Sequence, residues 1–251
     1  MIALLLVAGY ATRLYPLTID TPKPLLPVNG RPMLDYIADE IDTIPDISRI
    51  ILVSNHRFAE HFNLWARQRQ LQSPHIPIQV LDDGTTSDDD KKGAIGDIQF
   101  VLDQIKCEED MVVIAGDNLF TYRLQDAYAY FKTIQKDTLI AIPVPQIEKL
   151  RQYAVATLDQ NGKILELEEK PENPKSETAI FAVYFYKKET LSMISQYLKE
   201  GNSPDAPGNF PEWLHKKKDV YAYRAEGICI DIGTPETYKE VNEKFDEFWK
   251  K

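Results

Sequence analysis

Two cations near the start of the chain could do chemistry on phosphates. Arg13 and Lys23 sit among small and apolar residues in MIALLLVAGYATRLYPLTIDTPKPLLPV, after an apolar run from Ile2 to Ala8 that breaks at Gly9. A buried strand running into a glycine turn is where α/β proteins commonly hold a phosphate, because backbone N–H groups are unpaired there. Prolines 16, 22, 24 and 27 prevent one continuous helix, so the segment reads as an ordered loop holding a small anion. Two acids could complement it. Asp117 ends the apolar run VVIAGDN, and Asp231 lies among apolar residues in CIDIGTPE. Carboxylates at strand ends beside a phosphate loop suit Mg²⁺, which takes one or two of them together with phosphate oxygens. Plainer roles exist for each residue. Asp117 could be a turn residue, and Arg13 could pair with a surface acid. Lys170 in ELEEKPENP could be a solvated charge, and Asp231 could cap the last helix, although Thr234 suits that task better. Their joint occurrence at strand ends carries the argument.

Placing these residues together requires an alternating fold. A helix near Met33 to Ile41 puts Met33, Ile37, Ala38 and Ile41 on one face, and RIILVSN from Arg49 is a buried strand. A helix from Phe58 to Leu71, a strand from Ile76 to Leu81, and a helix from Ala94 to Ile105 with Ile95, Ile98, Leu102 and Ile105 inward continue the pattern. Asp110 to Asn118 (strand), Leu124 to Ile134 (helix) and Thr138 to Val144 (strand) complete it. This β-α alternation predicts a doubly wound, mostly parallel, Rossmann-like α/β sheet. The pattern then changes. Tyr153 to Pro171 reads as a hairpin turning at Asn161-Gly162, followed by a strand from Ala179 to Lys187 and a helix from Glu189 to Lys199. Two strands within Val220 to Gly233 precede a helix that Pro235 opens and that runs to about Phe248. The later part therefore predicts a smaller antiparallel subdomain on one domain spanning 1–251. DDGTTSDDDKKG, from Asp82 to Gly93, is polar and turn-rich and reads as a mobile surface loop with no core residue.

Several function classes are excluded. The net charge is −10, which disfavours a nucleic-acid partner. Cys107 and Cys229 lack metal-ligand spacing and point to a reducing compartment, so the expectation is a cytoplasmic protein. The apolar start is too short to span a membrane and has no basic leader. A dinucleotide fingerprint would need glycines at 9, 11 and 14, where the chain has Gly9, Ala11 and Leu14. No Gly-Lys-Ser/Thr opens a helix, so a P-loop is also absent.

VAGYATRLYPLTIDTPKPLLPV, VVIAGDNLF, YAVATLDQNGKILELEEKPENPKS with YFYKKETL, and ICIDIGTPE occur in that order over nearly the whole chain. Together they resemble the sugar-1-phosphate nucleotidyltransferases, and among them the glucose-1-phosphate thymidylyltransferase group. The resemblance implies that an NTP (dTTP, UTP or CTP) and a sugar 1-phosphate give an NDP-sugar and pyrophosphate. It implies that Arg13 steadies the leaving pyrophosphate, Lys23 contacts the reacting phosphates, and Asp117 and Asp231 hold Mg²⁺. Ala8, Gly9 and Gly93 would seat the nucleotide, while Glu169 and Lys170 would bind the sugar phosphate. On this reading 1–145 is the nucleotide-binding half and 146–251 the sugar-phosphate-binding half, in a monomer or small homo-oligomer. A non-sugar phosphate acceptor such as phosphocholine, or a silent nucleotide-sugar sensor, are the alternatives.

Three departures from that group matter. Ala11 replaces a glycine of the opening loop, and a methyl there requires φ below zero. The segment before Gly93 is longer, and no glutamine matches the base-reading position. The C-terminal helical extension is shorter, so the effector site and tetramer tied to it are not carried over.

Overall fold

The computed structural model describes residues 1–249. The chain forms two compact units that interleave in sequence instead of dividing near residue 145. The first comprises Met1–Lys91, Ala115–Leu124 and the segment from Gly227; the second comprises Lys92–Ile114 and Gln125–Glu226.

In the first unit, β1 (Ile2–Leu6), β4 (Arg49–Ser54) and β5 (Ile78–Asp82) are parallel, with β4 in the middle. Ile2 to Leu5 and Ile50 to Val53 are buried, as expected of parallel strands covered on both faces. Between β1 and β4 lie the two-residue strands β2 (Pro27–Val28) and β3 (Arg31–Pro32), then α1 (Met33–Asp42). Helix α1 buries Met33, Leu34, Ile37, Ala38 and Ile41, the face its periodicity predicts. Helix α2 (Ala59–Gln72) buries Phe62, Trp65, Ala66 and also Arg69. Arg69 can be buried because its guanidinium donates to Asp39 and Asp42, each at 2.7 Å.

A short ladder ties the two later segments of this unit to each other. Strand β7 (Asn118–Phe120) pairs antiparallel with β13 (Cys229–Asp231), which draws both stretches away from the sequence halves. Thr234 caps α8 (Pro235–Glu243) by accepting from the Thr237 N–H. The predicted last helix is two, α8 and α9 (Phe245–Trp249), broken at Lys244. Phe245 and Trp249 stack at 4.7 Å and both pack against Tyr36.

The second unit contains α3 (Ala94–Gln104), β6 (Met111–Ala115), α4 (Leu124–Ile134), β8 (Thr138–Pro143) and α5 (Ile147–Leu150). It continues with β9 (Ala154–Leu158), β10 (Ile164–Glu169), β11 (Thr178–Tyr186), α6 (Lys188–Lys199), α7 (Asn209–Leu214) and β12 (Tyr221–Arg224). Strand β11 is antiparallel to β6, β8 and β9, and a register shift between Phe181 and Tyr184 lets it serve several partners. Strand β8, which the alternation treats as one more parallel strand, lies between antiparallel β11 and parallel β12. The Asn161-Gly162 hairpin forms as read: Asp159 accepts from the N–H groups of Asn161 and Lys163. Fully buried Asp137 receives Lys218 Nζ at 2.7 Å, Thr190 Oγ1 at 2.8 Å and the Lys187 N–H at 2.8 Å, so its charge is matched on every side.

Residues 82–93 overturn one expectation, since Asp83 and Thr85 are core residues, 5% and 4% exposed. Local turn chemistry makes this possible. Asp83 Oδ1 accepts from both the Thr85 N–H and hydroxyl at 2.7 Å, while the backbone bonds Asp83 to Ser54 and His56 to Thr85. Asp90 ties Thr86 and Ser87 in the same way further on. No helix among the described residues is long and apolar enough to cross a membrane.

Candidate active site

After β1, buried Ala8 gives its carbonyl to Asn55 Nδ2 at 2.9 Å, and Asn55 Oδ1 accepts the Phe58 N–H at 3.0 Å. The loop therefore leaves the strand in a fixed direction. Gly9 is exposed, and a side chain there would meet open space. Tyr10 is buried, and that burial pushes its hydroxyl above the ordinary value, against a smaller pull from Thr85. Ala11 contradicts the sequence expectation directly: its φ is +49° and ψ +43°, left-handed backbone. The conformation is held from both sides, because the Ala11 carbonyl accepts from Thr18 Oγ1 at 2.8 Å and from the Leu14 N–H at 3.0 Å. A left-handed alanine costs about 1–2 kcal/mol, and glycine would return roughly 0.5–1 through its freer unfolded chain. Ala11→Gly is therefore expected to stabilise the protein by about 0.5 kcal/mol. A urea midpoint that stays put or falls, with unchanged slope, would contradict this.

The short 3₁₀ turn Thr12–Leu14 buries Leu14 and turns Arg13 outward. Arg13 is exposed and pairs with no carboxylate among the described residues, so the surface ion pair considered from the sequence is absent. Lys23 behaves differently. It begins a 3₁₀ turn, Lys23–Leu25, between Pro22 and Pro24, and is 6% exposed. Its ammonium donates to Asp117 Oδ2 at 2.8 Å and to Asp231 Oδ1 at 3.0 Å. Burial pulls the Lys23 pKa down, but the two carboxylates outweigh it and hold it above the ordinary lysine value.

Two local features bring the acids to one point. The Gly116 N–H bonds to the Leu6 carbonyl at 3.0 Å, and a Cβ on Gly116 would lie 2.4 Å from Val7 Cγ1. Only glycine allows that approach, which sets the start of the turn carrying Asp117. The β7–β13 ladder then places Asp231 opposite Asn118, one residue beyond Asp117. The charge concentration is visible in Cys229: burial, then Asp231 and Asp117, push its thiol well above the ordinary cysteine value.

This donor set fits Mg²⁺. The carboxylates of Asp117 and Asp231 are 42% and 48% exposed and already converge on one cation, the lysine ammonium. No group of three or more His, Cys, Asp or Glu that could hold a metal ion occurs among the described residues. Mg²⁺ does not need one, since two carboxylates with phosphate oxygens and water complete its shell.

In the second unit, Glu169 and Lys170 form the corner that ends β10. Lys170 has φ +50°, its N–H donates to the Tyr153 carbonyl at 3.1 Å, and its side chain is 59% exposed. Glu169 is 13% exposed; burial raises its pKa, Lys170 lowers it and Glu212 raises it. Gly93 lies in the same unit, as the residue before α3. The first N–H groups of that helix are already spent, Ala94 on the Asp205 carbonyl at 3.0 Å and Ile95 on Pro204 at 2.8 Å. The helix start therefore offers a phosphate fewer donors than its position in the sequence suggests.

Comparison with known proteins decides the family. The profile of the nucleotidyl transferase family matches residues 2–247. The chain belongs to that family. Relatives include a bifunctional protein GlmU of Methanocaldococcus jannaschii, 27% identical over 96% of this chain and 53% of its own length. A putative mannose-1-phosphate guanyltransferase of Sulfolobus acidocaldarius is 27% identical over 96% of this chain and 62% of its own. The chain thus spans between half and two thirds of these curated relatives. Among solved structures, a UDP-glucose pyrophosphorylase complexed with UDP-glucose superposes with a TM-score of 0.82 at 20% identity, covering 98% of both chains. A putative glucose-1-phosphate thymidylyltransferase from Bacillus anthracis gives 0.76 at 24% identity, over 97% of this chain and 94% of that one. The α/β fold is therefore that of solved nucleotidyltransferases, as the motifs predict.

Within this nucleotidyl transferase, Lys23 contacts both Asp117 and Asp231, while Arg13, Ala8 and Gly9 line the same loop. Sequence reasoning missed Gly116, whose necessity shows only once β1 lies against it. It also missed Glu212, whose carboxylate accepts the Glu169 N–H at 3.1 Å. Glu212 sits on α7, a six-residue helix containing Pro211 and too short to show a helical period.

Proposed function

We propose that the protein joins an NTP to a sugar 1-phosphate and releases pyrophosphate. An oxygen of the sugar phosphate attacks the α-phosphorus in line, a new P–O bond forms, and the bond from the α-phosphorus to the bridging oxygen of the β-phosphate breaks. The nucleophile is ionised at neutral pH, so no strong base is required. What must be overcome is repulsion between two anions and charge growing on the leaving group. Lys23 contacts the reacting phosphates and Arg13 the departing pyrophosphate. Backbone at Ala8, Gly9 and Gly93 seats the nucleotide, and Glu169 and Lys170 hold the sugar phosphate. Asp117 and Asp231 would hold Mg²⁺, which supplies further neutralisation of phosphate charge when bound.

The observation that carries this reading is the meeting of Lys23 with both acids within 3.0 Å. It gives a buried donor, held protonated beyond the ordinary lysine range, beside two carboxylates that converge on it. The test is a panel of dTTP, UTP, CTP and other NTPs against sugar 1-phosphates and phosphocholine, with Mg²⁺, following pyrophosphate. Release with one sugar 1-phosphate is expected. No release from folded protein with any pair would overturn the reading, and release with phosphocholine alone would replace the acceptor.

A further inference from the structure

We propose that Glu212 is a positioning residue for the Glu169–Lys170 corner, fixing its backbone through a carboxylate bond to the Glu169 N–H. The proposal rests on the reading that this corner binds the sugar phosphate. Lys170 adopts left-handed backbone, φ +50°, which a lysine keeps only where its surroundings over-determine it. Two bonds do so from either side. The Lys170 N–H donates to the Tyr153 carbonyl at 3.1 Å, and the Glu169 N–H donates to Glu212 Oε2 at 3.1 Å.

Glu212 is itself steered. Its other oxygen accepts Lys216 Nζ at 3.2 Å, and its helix is anchored by buried Phe210, Pro211 and Leu214. Phe210 packs edge-on against Tyr186 and Tyr197, so the helix cannot roll freely. The same helix limits the Glu169 side chain, since a Cβ on Gly208 would lie 1.9 Å from Glu169 Oε2. A side chain at Gly208 would collide with that carboxylate, and Glu212 accepts from the backbone N–H of the residue that carries it. A cavity of about 350 Å³, lined by Glu168, Pro171, Glu212 and His215 among others, lies beside the corner. Misplacing a substrate-binding group by about 1 Å typically costs up to a hundredfold.

The test compares Glu212→Gln, which keeps an acceptor oxygen at the same reach, with Glu212→Asp, which keeps the charge and loses the reach. Steady-state kinetics use the NTP and sugar 1-phosphate that give turnover. The expected result is that Glu212→Asp and Glu212→Ala raise the KM for sugar 1-phosphate about tenfold, with the NTP KM changed less than twofold, while Glu212→Gln stays near wild type. A role in folding alone would raise both KM values together with a fall in Tm, and that overturns the proposal. So does Glu212→Gln failing where Glu212→Asp succeeds, which would make charge the property that matters. Lys170→Ala separates the two layers. If it leaves the sugar 1-phosphate KM unchanged, the corner is not the sugar-phosphate site and both readings fall. If it raises that KM while the Glu212 variants do not, only the positioning role is lost.

Discussion

Lys23→Met is expected to lower kcat about a hundred- to a thousandfold while costing only about 1 kcal/mol of stability. The two effects separate because the environment of the lysine is asymmetric. Lys23 is buried, 6% exposed, so its ammonium is held in place by the two carboxylates and is poorly hydrated. Its partners Asp117 and Asp231 keep 42% and 48% exposure, so water can solvate them once the cation is removed. Methionine retains the length of the stem and much of its packing. A second readout needs no turnover. With no ammonium between the carboxylates, Mg²⁺ alone should stabilise the variant against heat more than it stabilises wild type. The pH dependence has a definite sign. The raised Lys23 pKa means its pairing is fully present below the ordinary lysine pKa and is lost only as pH rises through the higher folded value. Activity lost near neutral pH must therefore have another origin. A Lys23→Met enzyme with nearly normal kcat would remove Lys23 from the chemistry.

Asp117→Asn and Asp231→Asn should each lower turnover about a thousandfold, since each amide halves the anionic charge that can face a divalent cation. Asparagine preserves shape and still accepts a hydrogen bond from Lys23, so far-ultraviolet circular dichroism and Tm should hardly change. The double variant should be little worse than either single one if both residues serve one ion. Chelating the divalent cation should bring wild type down to the same level and leave the variants almost unaffected. Variants that keep near-normal rates and a normal Mg²⁺ response would dismiss the metal assignment.

What the sequence revealed about this site depended on the range of the forces involved. Asp117 is legible as a charge at a strand end because a buried apolar run precedes it, and Arg13 and Lys23 stand out as cations in the loop that follows the buried run of β1. Their meeting was not legible, since β7 and β13 have three residues each and carry no periodic signal. Asp83 and Thr85 looked solvated by composition, yet one carboxylate accepting two bonds removes the cost of burying them. Ala11 shows the reverse error. The sequence shows only a conformational preference of about 1 kcal/mol, and two bonds to the Ala11 carbonyl override it. The hairpin at Asn161-Gly162 was read correctly because its turn chemistry is entirely local.

The ladder between β7 and β13 has a further consequence for how the protein is made. Lys23 and Asp231 are separated by 208 positions, and translation proceeds from the first toward the second. On the ribosome the lysine and Asp117 are present long before the strand that carries Asp231 has been synthesised. Until then the opening loop has one carboxylate for its ammonium, and Asn118 to Phe120 have no β13 to pair with. Lys23 therefore gains its second carboxylate only once β13 has been made, together with the buried Ile232 and Val241 that follow it.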